Sequence, residues 1–215
     1  MTDPHAIDPS SPGELMNQRR AGLIRTYRKD PERAMIQDGA RTAQTRYAPG
    51  DPLHSEVEIG LGYGGAKAPV GVHRALGGLH DFPNPGDMLC AALAVCTDST
   101  IRQIAGQLRV EIRTLEVSVA GDIDVRGTLC VSQEVPVGFQ HMAVSVRLEL
   151  DPDTPSRMKA KLLAAAEHCC VVLRTLRQGV PVTMDLTTNA GTGADTETVP
   201  GAGFEPDQPT IRAPL

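Results

Sequence analysis

Apolar and polar residues alternate most regularly over residues 140–150. Met142, Val144, Val146, Leu148 and Leu150 stand at every second position, which predicts a half-buried strand. Leu115, Val117 and Val119 alternate with Glu116 and Ser118 and predict another. A helical pattern takes over from Pro85 to about Leu108. Its segment Met88-Leu89-Cys90-Ala91-Ala92-Leu93-Ala94-Val95-Cys96 carries no charge. A helix that is apolar nearly all round must be enclosed by the rest of the fold. Asn84 suits its N-cap, Pro85 its first position, and Asp87 the acidic member of a capping box. A second helix is predicted after Asp151-Pro152-Asp153-Thr154-Pro155, ending before Gly179. Its apolar positions are Met158, Leu162, Ala165, Cys169, Val172 and Leu176.

The remaining elements are shorter. Residues 14–36 predict a charged surface helix that Pro31 interrupts or restarts. Arg41 to Tyr47 and His54 to Ile59 read as a hairpin around the turn Pro49-Gly50-Asp51-Pro52. Gly60 to Gly65 is a glycine-rich connection. No Gly-Lys-Ser/Thr follows it, so it is not read as a phosphate loop. Gly121 to Asp124 predicts a turn, residues 125–135 another strand, and Val180 to Leu186 a last strand. Strands that follow one another without a helix between them pair antiparallel, which gives an α+β fold. The expected organisation is a tail and surface helix over 1–39, one folded domain over 40–187, and a disordered tail over 188–215.

Composition narrows the function. The net charge of −5 argues against a nucleic-acid or membrane-surface partner. No apolar run is long enough to cross a membrane, and Met1 to Ser11 lacks an apolar signal core, so a cytoplasmic location is expected. Five Cys, an odd number, read as reduced thiols rather than a disulfide framework. Trp is absent and Tyr and Phe number three each, too few for stacking platforms or aromatic cages. His73, His80, His141, His168, Cys169 and Cys170 show no Cys-x-x-Cys or His-x-x-x-His spacing. No metal and no cofactor is expected.

The candidate chemistry is therefore thiol chemistry. Cys96 sits where the first apolar helix turns polar, and Glu167-His168-Cys169-Cys170 supplies the second helix with thiols. These two Cys-bearing helices are expected to meet in a redox site. By helical spacing Cys169 falls on the apolar stripe and Cys170 one step round; Cys90 and Cys130 read as core. A reactive Cys must be a thiolate, whereas a free thiol titrates near about 8.5 and burial raises that value. Cys96 lies about three turns inside its helix, out of reach of that helix's dipole. Bringing its pKa down by about two needs about 2.7 kcal/mol. An Arg from elsewhere in the fold is the natural supplier. The alternative for Cys96 is an inert, packed core thiol.

Asn84-Pro85 leading through Ala91-Ala92-Leu93-Ala94 to Cys96, together with Glu167 to Leu176 around Cys170, resembles the OsmC/Ohr family of osmotically inducible and organic hydroperoxide resistance proteins. The resemblance covers roughly residues 40–187. It implies antiparallel sheets wrapped around two long central Cys-bearing helices in an intertwined homodimer. It also implies a thiol-dependent peroxidase of organic hydroperoxides, in which Cys96 is oxidised to a sulfenic acid and Cys170 resolves it as a disulfide. A dithiol reductant, a lipoyl protein or thioredoxin, is then the second partner. The chain departs from the family in carrying Gly86 where the better-known peroxidases carry Glu, and Val171 where the second Cys is usually followed by Pro. By the resemblance Arg46, ahead of Arg41 and Arg74, is the thiolate-binding cation, and Asp87 replaces the missing Glu. Two rival readings use the same fold: a redox-responsive binding protein with slow turnover, and a small-ligand binder that uses an apolar dimer cleft.

Overall fold

The computed structural model describes residues 12–42, 46–61 and 64–184. Five helices and five strands follow in the order α1 (Pro12–Lys29), β1 (Ala40–Thr42), β2 (His54–Ile59), β3 (Ala66–Gly71), α2 (Pro85–Leu108), β4 (Ile112–Ile123), α3 (Val125–Thr128), β5 (Phe139–Leu150), α4 (Ser156–Cys169) and α5 (Val171–Gln178). Single turns of 3-10 helix lie at Pro31–Ala34 and Arg74–Leu76. The mixture of helix and antiparallel sheet is the α+β class expected. Among the described residues no helix is long and apolar enough to cross a membrane.

Helix α2 begins where its signals put it. Asn84 Oδ1 accepts from the N–H groups of Gly86 (2.8 Å) and Asp87 (3.2 Å), and Asp87 Oδ2 accepts from the Asn84 N–H at 2.9 Å. This capping box satisfies orphan donors at both ends of the turn. The helix stops at Arg109, which takes the left-handed conformation (φ 53°). Behind α2 lies the long antiparallel pair β4–β5, running from Ile112 opposite Leu150 to Ile123 opposite Phe139, in register from Thr114 to Asp122 with a shift near each end. Gly121 lies under the Phe139 ring, where a side chain would collide with it. Ile101, Ile104 and Ala105 of α2 pack with Leu162 and Ala166 of α4, and Leu115, Leu148 and Leu150 close over them from the sheet. Helix α1 lies against α2, and Asn17 Nδ2 donates to the Gly106 carbonyl at 3.0 Å.

The second sheet, β1-β2-β3, is formed by the N-terminal half. It packs little against α2 or α4. Its third strand was not expected, because Ala66-Lys67-Ala68-Pro69-Val70-Gly71 has few β-formers and contains a proline. Pro69 is tolerated because β3 is an edge strand.

Four other expectations are corrected. The turn expected from Gly121 begins only at Asp124, since β4 runs on through Ile123. The strand expected within 125–135 is one helical turn followed by loop. Asp124 caps this turn by accepting from the Arg126 N–H, and Gly127 fits beneath Val135 and Pro136 with no space for a side chain. The single helix expected after Pro155 is broken at Cys170. That residue is extended (φ −71°, ψ 108°); it gives its N–H to Ala166 and its carbonyl to the Arg174 N–H, so it closes α4 and opens α5. Residues 180–184 form no strand. Residues 185–186, the tail 188–215, residues 1–11 and the centre of the first expected strand lie outside the described residues. The chain divides into two units, Met1–Arg174 and Thr175–Leu215. The described part of the second is the end of α5 and residues 179–184.

Candidate functional site

The broken helix determines the site. Because Cys170 sits at the joint rather than within a continuous helix, its side chain turns inward and is fully buried (0% exposed), while Cys169 is exposed. This reverses the burial expected from helical spacing. Cys130 is also corrected: it lies exposed in the loop after α3, with φ 55°. Cys90 is half-buried.

The Cys96 and Cys170 thiols lie close enough to influence each other's charge. Thr97, itself buried, joins them. Its Oγ1 donates to the Leu93 carbonyl at 2.8 Å and lies 3.7 Å from Cys170 Sγ. With the hydroxyl proton committed to Leu93, the Cys170 S–H is the donor toward Thr97. Nothing in the sequence pattern marked Thr97, because a Thr inside a helix more often bonds its own preceding turn and nothing else.

The electrostatics of Cys96 are a contest. Burial is the largest influence and pushes its thiol above the ordinary value. The backbone N–H of Val172 pulls it down, the Cys170 thiol pushes it up, and the N–H of Val171 pulls it down. The net direction is up, against the thiolate. The two N–H groups belong to the first turn of α5, where a helix leaves donors without intrahelical acceptors. The dipole that cannot reach Cys96 from the start of its own helix is thus replaced by that of another helix.

The expected cation is engaged elsewhere. Arg46 Nη2 pairs with Glu56 Oε2 at 3.2 Å and its guanidinium stands over the Tyr47 ring at 5.5 Å. Glu56 is buried on β2 and also faces Lys67 at 3.9 Å. Arg41 pairs with Glu58 at 2.8 Å, and Arg74 has no side-chain partner among the described residues. Asp87 serves the capping box of α2. Gly86 lies against Phe139: a Cβ there would stand 3.4 Å from Phe139 Cζ and 3.0 Å from Asn84 Oδ1. The closest neighbour at the position where the better-known peroxidases carry Glu is thus the capping Asn84 oxygen, with the ring at contact distance. Among the described residues no three of His, Cys, Asp and Glu gather as a metal site.

A sequence profile of the family described as OsmC-like protein matches residues 78–185, which span α2, the β4–β5 pair and both thiols. The chain belongs to the OsmC-like family. Two solved structures agree on the fold. An OsmC-like protein of unknown function from Vibrio cholerae is similar at TM-score 0.51 and 12% identity, over 66% of this chain and 94% of that one. An OsmC-like protein from Mycoplasma pneumoniae is similar at TM-score 0.51 and 11% identity, over 67% and 89%. An organic hydroperoxide resistance protein from Legionella pneumophila is 20% identical over 68% and 93%, at TM-score 0.46. No curated protein sequence matches the chain.

Proposed function

We propose that this OsmC-like protein is a dithiol that reduces organic hydroperoxides. The single observation that carries the reading is the closeness of Cys96 and Cys170 at the α4–α5 joint, with Cys96 half-buried and Cys170 sealed. Cys96 loses its proton and its sulfur attacks the outer peroxide oxygen. The O–O bond breaks, the alcohol leaves with a proton, and Cys96 becomes a sulfenic acid. Cys170 then attacks that sulfur, water leaves, and a disulfide joins α2 to the start of α5. A dithiol, a lipoyl protein or thioredoxin, returns both sulfurs to thiols.

Arg46 is proposed as the cation that draws Cys96 into its thiolate, and Asp87 as the acid that takes the place of the usual Glu in holding that cation. That role asks Arg46 to leave Glu56. A homodimer is proposed from the apolar surface beside the thiols, where Val95 (64% exposed) and Val171 (71%) await cover. A second reading, a redox-responsive protein with slow turnover, is favoured by the raised Cys96 thiol and by the engagement of Arg46 with Glu56. Consumption of cumene hydroperoxide with excess dithiothreitol separates the two. Many equivalents consumed by the wild type and none above background by Cys96→Ser support the peroxidase. One equivalent per chain supports the responsive protein. Equal consumption by wild type and Cys96→Ser contradicts both.

A further inference from the structure

A cavity of about 380 Å³ opens between α1, α2 and α4, beginning one turn along α2 from Cys96. Thr100 marks that turn, for its Oγ1 donates to the Cys96 carbonyl at 2.7 Å. The volume lies in the range that small-molecule sites occupy. Its lining is charged in one sense. Arg20 reaches it from α1 and Lys161 from α4, and among the described residues no Asp or Glu lines it. Neither cation has a side-chain partner among the described residues. Asp98, the nearest acid along α2, is held by Arg102 at 2.7 Å. In a chain of net charge −5, two cations with no partner among the described residues facing one cavity are a local reversal. Ile104 and Leu108 supply an apolar wall, and the exposed Cys169 supplies a thiol.

We propose that this cavity recognises a small acidic disulfide, and that Cys169 exchanges with it to carry a reversible mixed disulfide. The cations hold the carboxylates of the reagent. The Cys169 thiolate attacks one sulfur, a Cys169–sulfur bond forms, and the bond within the reagent breaks. The departing half leaves as a thiolate and takes up the proton that Cys169 gave to solvent. The site uses none of the groups assigned to the peroxide reaction and stands apart from that reading.

The test compares two disulfides of opposite character on the full chain: oxidised glutathione, which is acidic, and bis(2-hydroxyethyl) disulfide, which is neutral. Fragment mass spectrometry follows Cys169 against Cys130, an exposed thiol on the same molecule, with Cys169→Ser as the check on assignment. The ratio of Cys169 to Cys130 modification should be about tenfold higher with oxidised glutathione, the lower end of electrostatic enrichment at a charged cleft. It should fall to the neutral reagent's value in Arg20→Gln/Lys161→Gln. In the wild type it should fall as salt is raised, which keeps the test open if the double variant folds poorly. Equal ratios for the two reagents, or an acidic preference that neither salt nor the double substitution reduces, would overturn the proposal.

Discussion

The two halves of the expected site lie in differently built regions. The thiols sit in a contiguous helical core, where α2 and α4 share Ile101, Ile104, Leu162 and Ala166 and the α4–α5 joint delivers Cys170 to Cys96. Arg46 sits beside a small sheet that packs little against those helices, and its partners are Glu56 and Tyr47. On the proposed reading, thiol pairing belongs to the core, whereas thiol activation has to be brought to it. The α5 N–H groups pull Cys96 toward its thiolate but do not overcome burial.

The largest effect that separates the regions comes from Leu162, which is 0% exposed at the α2–α4 contact. Leu162→Ala should cost about 3 kcal/mol in urea unfolding, as deletion of a fully buried leucine commonly does. Sub-denaturing urea should then loosen the Cys96–Cys170 pairing, read as faster alkylation of Cys170, before it disturbs the sheet. Simultaneous loss of both regions at the same urea concentration would show that they are one cooperative unit.

A smaller effect isolates the α5 donors. Val171 takes the first position of that helix, and the extended Cys170 before it accommodates a following proline. Val171→Pro thus removes one N–H and little else. The Cys96 thiol should be pushed further up, and its alkylation at neutral pH should slow by roughly three- to tenfold, less than a full hydrogen bond to a charged group is worth because the Val171 N–H is the weakest of the influences on Cys96. An unchanged alkylation profile would mean that the N–H of Val171 does not support the thiolate.

The smallest effect lies on the sheet side. His54, with its side chain 15% exposed, faces Asp81 at 3.0 Å and Asp51 at 3.4 Å and stacks on Tyr47 at 5.1 Å. The Asp81 contact is the main cause that raises its pKa above 6.5; burial opposes it and Asp51 assists. A raised histidine stabilises fully below its unfolded value and loses that contribution as pH rises through the folded one. Asp51 and Asp81 are drawn below 3.8, Asp51 chiefly by the Leu53 N–H and Asp81 chiefly by His54, so their share fades on acidification. The difference in Tm between wild type and His54→Gln should therefore be greatest between those limits and shrink toward alkaline pH. A difference that grows with pH would contradict the assignment. Cys96 alkylation should not change in this variant.

Much of the core was legible in the sequence because it is written locally. Asn84, Pro85 and Asp87 specify the start of α2, and the alternation from Met142 to Leu150 specifies β5. Cys96 and Cys170 were found through their helices and the family resemblance. The break at Cys170 was not legible, since neither Gly nor Pro marks it. The weak helix formers around it, Cys169, Cys170, Val171 and Val172, permit a break without requiring one. That single joint decides which of two adjacent thiols is buried. The pairing of Arg46 with Glu56 was hidden for another reason: it spans the β1–β2 connection, and nothing in local spacing selects Glu56 over other acids.

The most direct measurement is peptide mapping after one equivalent of cumene hydroperoxide is added to the fully reduced chain. The account predicts a loss of two hydrogens in intact mass and a cross-link between the peptides of Cys96 and Cys170, absent in Cys96→Ser and in Cys170→Ser. Cys96 left alkylatable while Cys130 or Cys169 is oxidised, or Cys96 carried to a sulfinic acid with Cys170 still free, would contradict it.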